Sequence, residues 1–254
     1  MGAVAGDGGD GRFPLELAVW LSPAFPVGSF AYSHGLEWAA GNGRITDRAS
    51  AARWILDLIE HGGARNDAIL LAAAWRATCA GDWRALNEAN ELAIALAGTR
   101  ERRLETTAQG NAFNTTVLAA WPTERLRGAF VNLGRLAFGS PQASSSPSRS
   151  GEEPGDIAYP VAVGVAAAAH TIPLNPTVST FLTAIVGNLV SALVRLSVIG
   201  QTDGQRIIAS LIPAIERLAA EAAESTLDDV GSAAFMSDIA AMAHEIQDTR
   251  LFRT

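Results

Sequence analysis

The chain has 254 residues, 48% of them hydrophobic, with 26 acids against 19 bases and a formal charge of −7. That is enough apolar material for one large core or two small ones. The acidic balance argues against a general nucleic-acid binder, which carries a basic face.

Taken in chain order, residues 1–12 are rich in Gly and Asp and read as a disordered tail. They hold neither the basic and apolar regions of a signal peptide nor a myristoylation pattern, since position 6 is Gly6. Pro14 suits the first turn of a short helix through Leu15, Leu17, Ala18 and Leu21. Ser22–Ser29 (SPAFPVGS) then makes a rigid non-helical turn. Phe30 to Ala40 reads as a helix, closed by Gly41, Asn42 and Gly43. Asp47 caps the next, which buries Trp54, Ile55, Leu58 and Ile59 and stops at His61-Gly62-Gly63. Further helices are predicted from Asn66 to Cys79, from the Asp82 cap through Leu96, and from Arg100 to Ala120. Pro122 ends the last of these, and Thr123 opens another through Leu126, Phe130, Leu133 and Leu136. Residues 139–156 are Ser-, Pro- and Gly-rich and read as a flexible loop. Helices follow at 157–170, 176–199 and 203–223, and residues 224–254 look polar and weakly structured.

Ile157 to Val194 contains no Asp, Glu, Lys or Arg. Pro173 and Pro176 divide it, and Thr180, Thr183, Asn188 and Ser191 follow, so it reads as two buried helices rather than a membrane span. The whole is expected to be all-α. It reads as a single helical-bundle-like domain of about ten helices over 13–235, with a partner-binding tail at 236–254.

The chain offers no P-loop, no GxSxG, no HExxH and no CxxC. His34, His61, His170 and His244 are never four residues apart, so no helical metal pair forms, and neither metal ligands nor catalytic residues are assigned. His61 and His170 fit helix C-terminal dipole positions. Cys79, the one cysteine, excludes an internal disulfide and suggests a reducing, cytoplasmic setting. It reads as an inert thiol; a small helical hydrolase using Cys79 or the histidines is the alternative function. Every base is arginine, which reflects either a need for planar bidentate contacts or the bias of an Ala-, Gly- and Arg-rich composition.

Two segments stand out. In Ser22–Glu37, Pro23 and Pro26 stiffen the backbone, Gly28 permits an unusual φ, and Phe30, Tyr32 and His34 follow. This is either a binding surface or a tight corner with core aromatics. In the tail, Leu251-Phe252 lies between Arg250 and Arg253. It either anchors on a partner or packs back on its own domain. The polar face Asn188–Ser191–Arg195 of the central helix is either a wet passage or dimer contact, or a set of satisfied buried groups.

Ser22-Pro23, Pro26, Gly28, Phe30, Tyr32-Ser33 and Gly35-Leu36-Glu37 together resemble the N-terminal signature of the urease accessory protein F family, the UreF-type nickel-insertion chaperones. Tyr159-Pro160-Val161 with Gly164, Leu193-Val194-Arg195-Leu196 with Gly200-Gln201-Thr202, His244-Glu245 and Arg250-Leu251-Phe252-Arg253 are similar too, in the family's order. Position 34 is His where the family usually has Gln. The resemblance implies a non-catalytic, all-α homodimer that bridges accessory proteins of the D/H type and the nickel-carrying G-type GTPase to the urease apoprotein. Nickel would be handled by the complex, with no cofactor, nucleic acid or membrane required. It places partner contacts at Pro23, Pro26, Gly28, Tyr32, His34, Glu37, His244, Glu245, Arg250, Leu251 and Phe252. Arg250 or Arg44 would be the candidate for an arginine acting on the partner's GTP.

Overall fold

The computed structural model describes residues 13–136, 155–247 and 250–253, with side chains omitted at 134–136. The expected tail at 1–12 and nearly all of the expected loop at 139–156 lie outside these residues. Eleven α-helices and two 3-10 turns make up the regular structure among the described residues, with no strand. They are α1 (Leu15–Trp20), α2 (Leu36–Gly41), α3 (Arg48–His61), α4 (Gly63–Ala80), α5 (Trp83–Ala95) and α6 (Arg100–Ala120). After these come α7 (Glu124–Leu136), α8 (Tyr159–Ala169), α9 (Leu174–Arg195), α10 (Gln201–Glu224) and α11 (Phe235–Glu245).

Local chemistry sets most boundaries. Asp47 accepts from the Ser50 amide at 2.8 Å and completes a capping box. Asp82, Thr99 and Thr123 accept in the same way from Ala85, Arg102 and Leu126. Gly81, in the left-handed region at φ 69°, closes α4.

Three expectations are corrected. The helix read from Phe30 begins only at Leu36, after a 3-10 turn at Ser29–Ala31. His34 and Gly35 have φ of 54° and 75°, which no helix from residue 30 accommodates. The helix read from Asn66 starts three residues earlier, at Gly63. The region past 224, read as weakly structured, contains the 3-10 turn Leu227–Asp229, capped by Thr226, and then α11.

The core is built around α8, whose residues Pro160–Ala169 are all buried. It packs between α4 and α6, while α9 lies along α10 and also touches α4 and α2. The α9 stripe is buried at Val178, Phe181, Leu182, Leu189 and Leu193. By length and composition α9 is the one helix among the described residues apolar enough to cross a bilayer, and half of that stretch is buried inside this fold. Trp20, Phe25, Phe113, Trp121 and Tyr159 form a chain of ring contacts that ties α1 to α6 and α8.

Candidate interaction site

The Ser22–Glu37 corner and the C-terminal segment meet. Pro23 and Pro26 are exposed, and Phe25 and Val27 between them are buried, so the prolines turn the chain while its apolar groups enter the core. The second turn, at His34-Gly35, sends Glu37 inward at the start of α2. A Cβ on Gly35 would come within 2.8 Å of the Ala240 and Ala241 backbone, so α11 rests directly on this glycine.

Glu37 receives the end of the chain. Its Oε1 accepts from the Leu251 amide at 2.7 Å, and its Oε2 accepts from the Phe252 amide at 3.0 Å. Oε2 also lies 3.2 Å from Nε2 of His244, which is fully buried. Nδ1 of the same ring is 3.0 Å from Glu101 Oε2, and Glu101 pairs with Arg250 through its other oxygen. Glu245 Oε1 accepts from the Glu101 amide at 3.0 Å. The Arg253 amide donates to Ala31 O at 2.8 Å.

Phe252 is buried beneath the Arg195 guanidinium, 4.4 Å from its ring centroid. The anchor expected for a partner is therefore seated on this chain's own core, whereas Leu251 beside it is exposed. Arg195 serves the C-terminal segment, apart from Asn188, with which the sequence grouped it. Asn188 donates to Tyr32 O at 3.3 Å and lines a cavity of about 420 Å³ together with Ser191. Tyr32 is buried, and its hydroxyl pKa is raised, first by burial and then by Glu105, against a lowering contact from Arg253.

Beside this lies a second charged group, of which sequence reasoning named only His34. Arg102 Nη1 is 3.0 Å from the His34 ring nitrogens and donates to Glu105 Oε2, while Nη2 is 3.9 Å from Asp67. His34 Nε2 lies 3.0 Å from Glu105 Oε1, which also accepts from Gln109 at 3.1 Å. Burial alone would raise Glu105, but Arg102 and His34 outweigh it and hold the carboxyl at about 2. Asp67 is pushed up to about 6 by burial, against the pull of Arg102 and His34. The signal was present in α6, where Glu105 and Gln109 continue the buried row of Phe113 and Val117 at intervals of four.

His34, Asp67, Arg102, Thr106 and Ile185 form a wall common to the 420 Å³ cavity and to a second of about 230 Å³. The remaining candidates lie elsewhere. His170 bonds Trp121 O, His61 is exposed beside Glu60, and Arg44 is exposed. The Cys79 thiol pKa is raised by burial, with Arg125 opposing, which is the reverse of an activated nucleophile. Among the described residues no group of three or more His, Cys, Asp or Glu could hold a metal ion.

What faces outward is apolar. α11 exposes Phe235, Ile239, Met242 and then Ile246 along one side, with Leu251 also exposed nearby in sequence.

Comparison with known proteins places the chain in a family. The UreF family model matches residues 45–212. The urease accessory protein UreF of Xanthobacter autotrophicus is 47% identical over 256 residues, covering 100% of this chain and 97% of that one. That of Azorhizobium caulinodans is 47% identical over 240 residues, 94% of this chain and 95% of its own. That of Bradyrhizobium diazoefficiens is 45% identical over 239 residues, 94% of this chain and 90% of its own.

Proposed function

The chain belongs to the UreF family of urease accessory proteins, with a role in urease maturation, and from that premise we propose that it acts as a bridging scaffold rather than an enzyme. It joins the D/H-type accessory protein to the G-type GTPase at the urease apoprotein, working as a cytoplasmic homodimer. Nickel is cargo of the complex, and among the described residues no group of three or more His, Cys, Asp or Glu could hold it. The observation that carries this reading is the outward stripe Phe235, Ile239, Met242 and Ile246 on a helix whose inner side is locked to the N-terminal corner. A helix that turns its apolar side to solvent is a docking face. The N-terminal corner and the tail, joined through Glu37, then form one surface rather than two.

In this reading the scaffold also sets GTP hydrolysis. Arg44 is exposed and available, whereas Arg250 is held by Glu101 and acts only after leaving it.

One pull-down tests both parts. The full chain captures the D/H-type protein, and Ile239→Arg loses about tenfold or more in capture, as expected for a central apolar anchor. Undiminished capture by Ile239→Arg sinks the docking face. GTP turnover of the captured complex with Arg44→Ala or Arg250→Ala, if unchanged in both, sinks the arginine's part.

The common wall of the two cavities supports a second reading, in which the 420 Å³ cavity beside Asn188 is a wet passage for the ion. Asn188→Leu then lowers urease activation; full activation with this variant removes the passage.

A further inference from the structure

α11 is held to the body in an unusual way. Its buried residues are Ser237, Ala240 and His244, all small or polar. The 230 Å³ cavity opens along its flank, with Asp238, Ala241 and Met242 on one side and Asp67 and Arg102 on the other. A helix with its apolar side turned away from the core, and a cavity along its flank, gains little from burial. Its docking rests on the contact of its backbone with Gly35 and on a few polar contacts.

The hub of those contacts is His244. A neutral imidazole has one N–H and one lone pair; only the protonated ring donates twice. Both ring nitrogens here face carboxylate oxygens, Glu101 at 3.0 Å and Glu37 at 3.2 Å. The protonated ring makes two charge-assisted hydrogen bonds. The neutral ring makes one and sets its lone pair against the other carboxylate. The same two carboxylates hold the rest of the segment, Glu37 through the amides of Leu251 and Phe252, and Glu101 through Arg250. The charged groups facing the hub are thus Glu37 from α2, Glu101 from α6, Arg250 from the C-terminal segment, and Glu245 on α11 itself. Further along α11, Asp238 faces Arg102.

We propose that protonation of His244 governs the docking of α11 and residues 250–253 as a unit, a strap that closes on the doubly protonated ring and loosens when the ring loses its second proton. Raising the pH loosens the strap, because the docked ring keeps its second proton through contacts with Glu37 and Glu101 that the released ring does not have. The strap is a property of this chain alone and stands or falls independently of the partner reading.

Hydrogen exchange of the full chain between pH 5.5 and 9, corrected for intrinsic rates, tests this alongside 15N observation of the His244 ring. Protection of residues 235–247 is expected to fall roughly tenfold or more, the effect of losing one charge-assisted bond. It falls at the pH where the ring gives up its second proton, while α4 and α9 stay protected. His244→Gln, neutral throughout, gives low and pH-independent strap protection with α4 and α9 unchanged. The proposal is overturned if strap protection is flat across the range, if it falls only together with α4 and α9, or if His244→Gln keeps the native profile. Should that variant not fold, the native protein decides alone: a ring midpoint separate from the release midpoint overturns the proposal.

Discussion

At the scale of single residues, the two carboxyls beside Arg102 have opposite linkage to pH. Glu105 is held at about 2, below its ordinary value, so its contribution is present above about pH 4.5 and is lost as pH falls toward 2. Asp67 is raised to about 6, so its contribution is present below about pH 4 and is lost as pH rises through 6. At pH 8 Asp67 is ionised in an enclosed position, 3.9 Å from Arg102 and short of a good ion pair. Asp67→Asn is therefore expected to stabilise the fold at pH 8 by about 1–2 kcal/mol and to change little at pH 4. The 24% of the Asp67 side chain that remains exposed to solvent keeps the gain this small. Urea midpoints at the two pH values check it; equal effects at both would show that Asp67 does not carry the shift. Glu105 left a signal in the buried row of α6, but the coupling to Asp67 was not legible in sequence, because Asp67 and Arg102 sit on different helices.

At the scale of elements, most helices were legible because their caps and breakers are local. Asp47, Asp82 and Thr123 lie where the periodic patterns begin, and each caps a helix in the structure. The failure at Phe30–Gly35 has a tertiary cause. The segment is locally compatible with helix, but Gly35 must leave room for the α11 backbone, which packs on it 205 residues further along the chain. The same kind of demand hides in α6 and α8. An alanine at Gly110 would drive its Cβ into Ile157 O, and one at Gly164 into Leu71 O. Glycine to alanine inside a helix ordinarily gains about 1 kcal/mol in propensity. Here the expected outcome is the reverse, a loss of about 2–3 kcal/mol for Gly110→Ala and for Gly164→Ala, since backbone oxygens must move. Gly128, whose Cβ would meet nothing, is the control, and Gly128→Ala should be neutral or slightly stabilising. Thermal midpoints of the three variants separate packing from propensity; a gain at Gly110 or Gly164 would contradict the close approach of α8.

At the scale of the whole molecule, the sequence presented two odd segments at opposite ends, and the structure makes them one site. Glu37 and Leu251 are 214 positions apart, and no periodicity links them. The bridging carboxylates differ in this respect, since Glu37 lay inside the singled-out corner while Glu101 lay in an ordinary helical pattern. The joined site also divides the molecule by stability. The core cluster draws on α3, α4, α8, α9 and α10 among others, and Phe252 is the one described residue beyond α10 and its following turn that belongs to it. Removing residues 235–254 thus takes away one buried ring and the His244 contacts, but leaves the α8-centred core intact. The expected cost is about 3–4 kcal/mol, that of a core phenylalanine. The shortened chain should still unfold in one cooperative step with its near-ultraviolet signal retained, because Trp20, Phe113 and Tyr159 keep their neighbours. A broad, non-cooperative transition with that signal lost would mean that the strap is part of the core rather than an element laid upon it, and the outward apolar face of α11 would then have to be explained by folding instead of by docking.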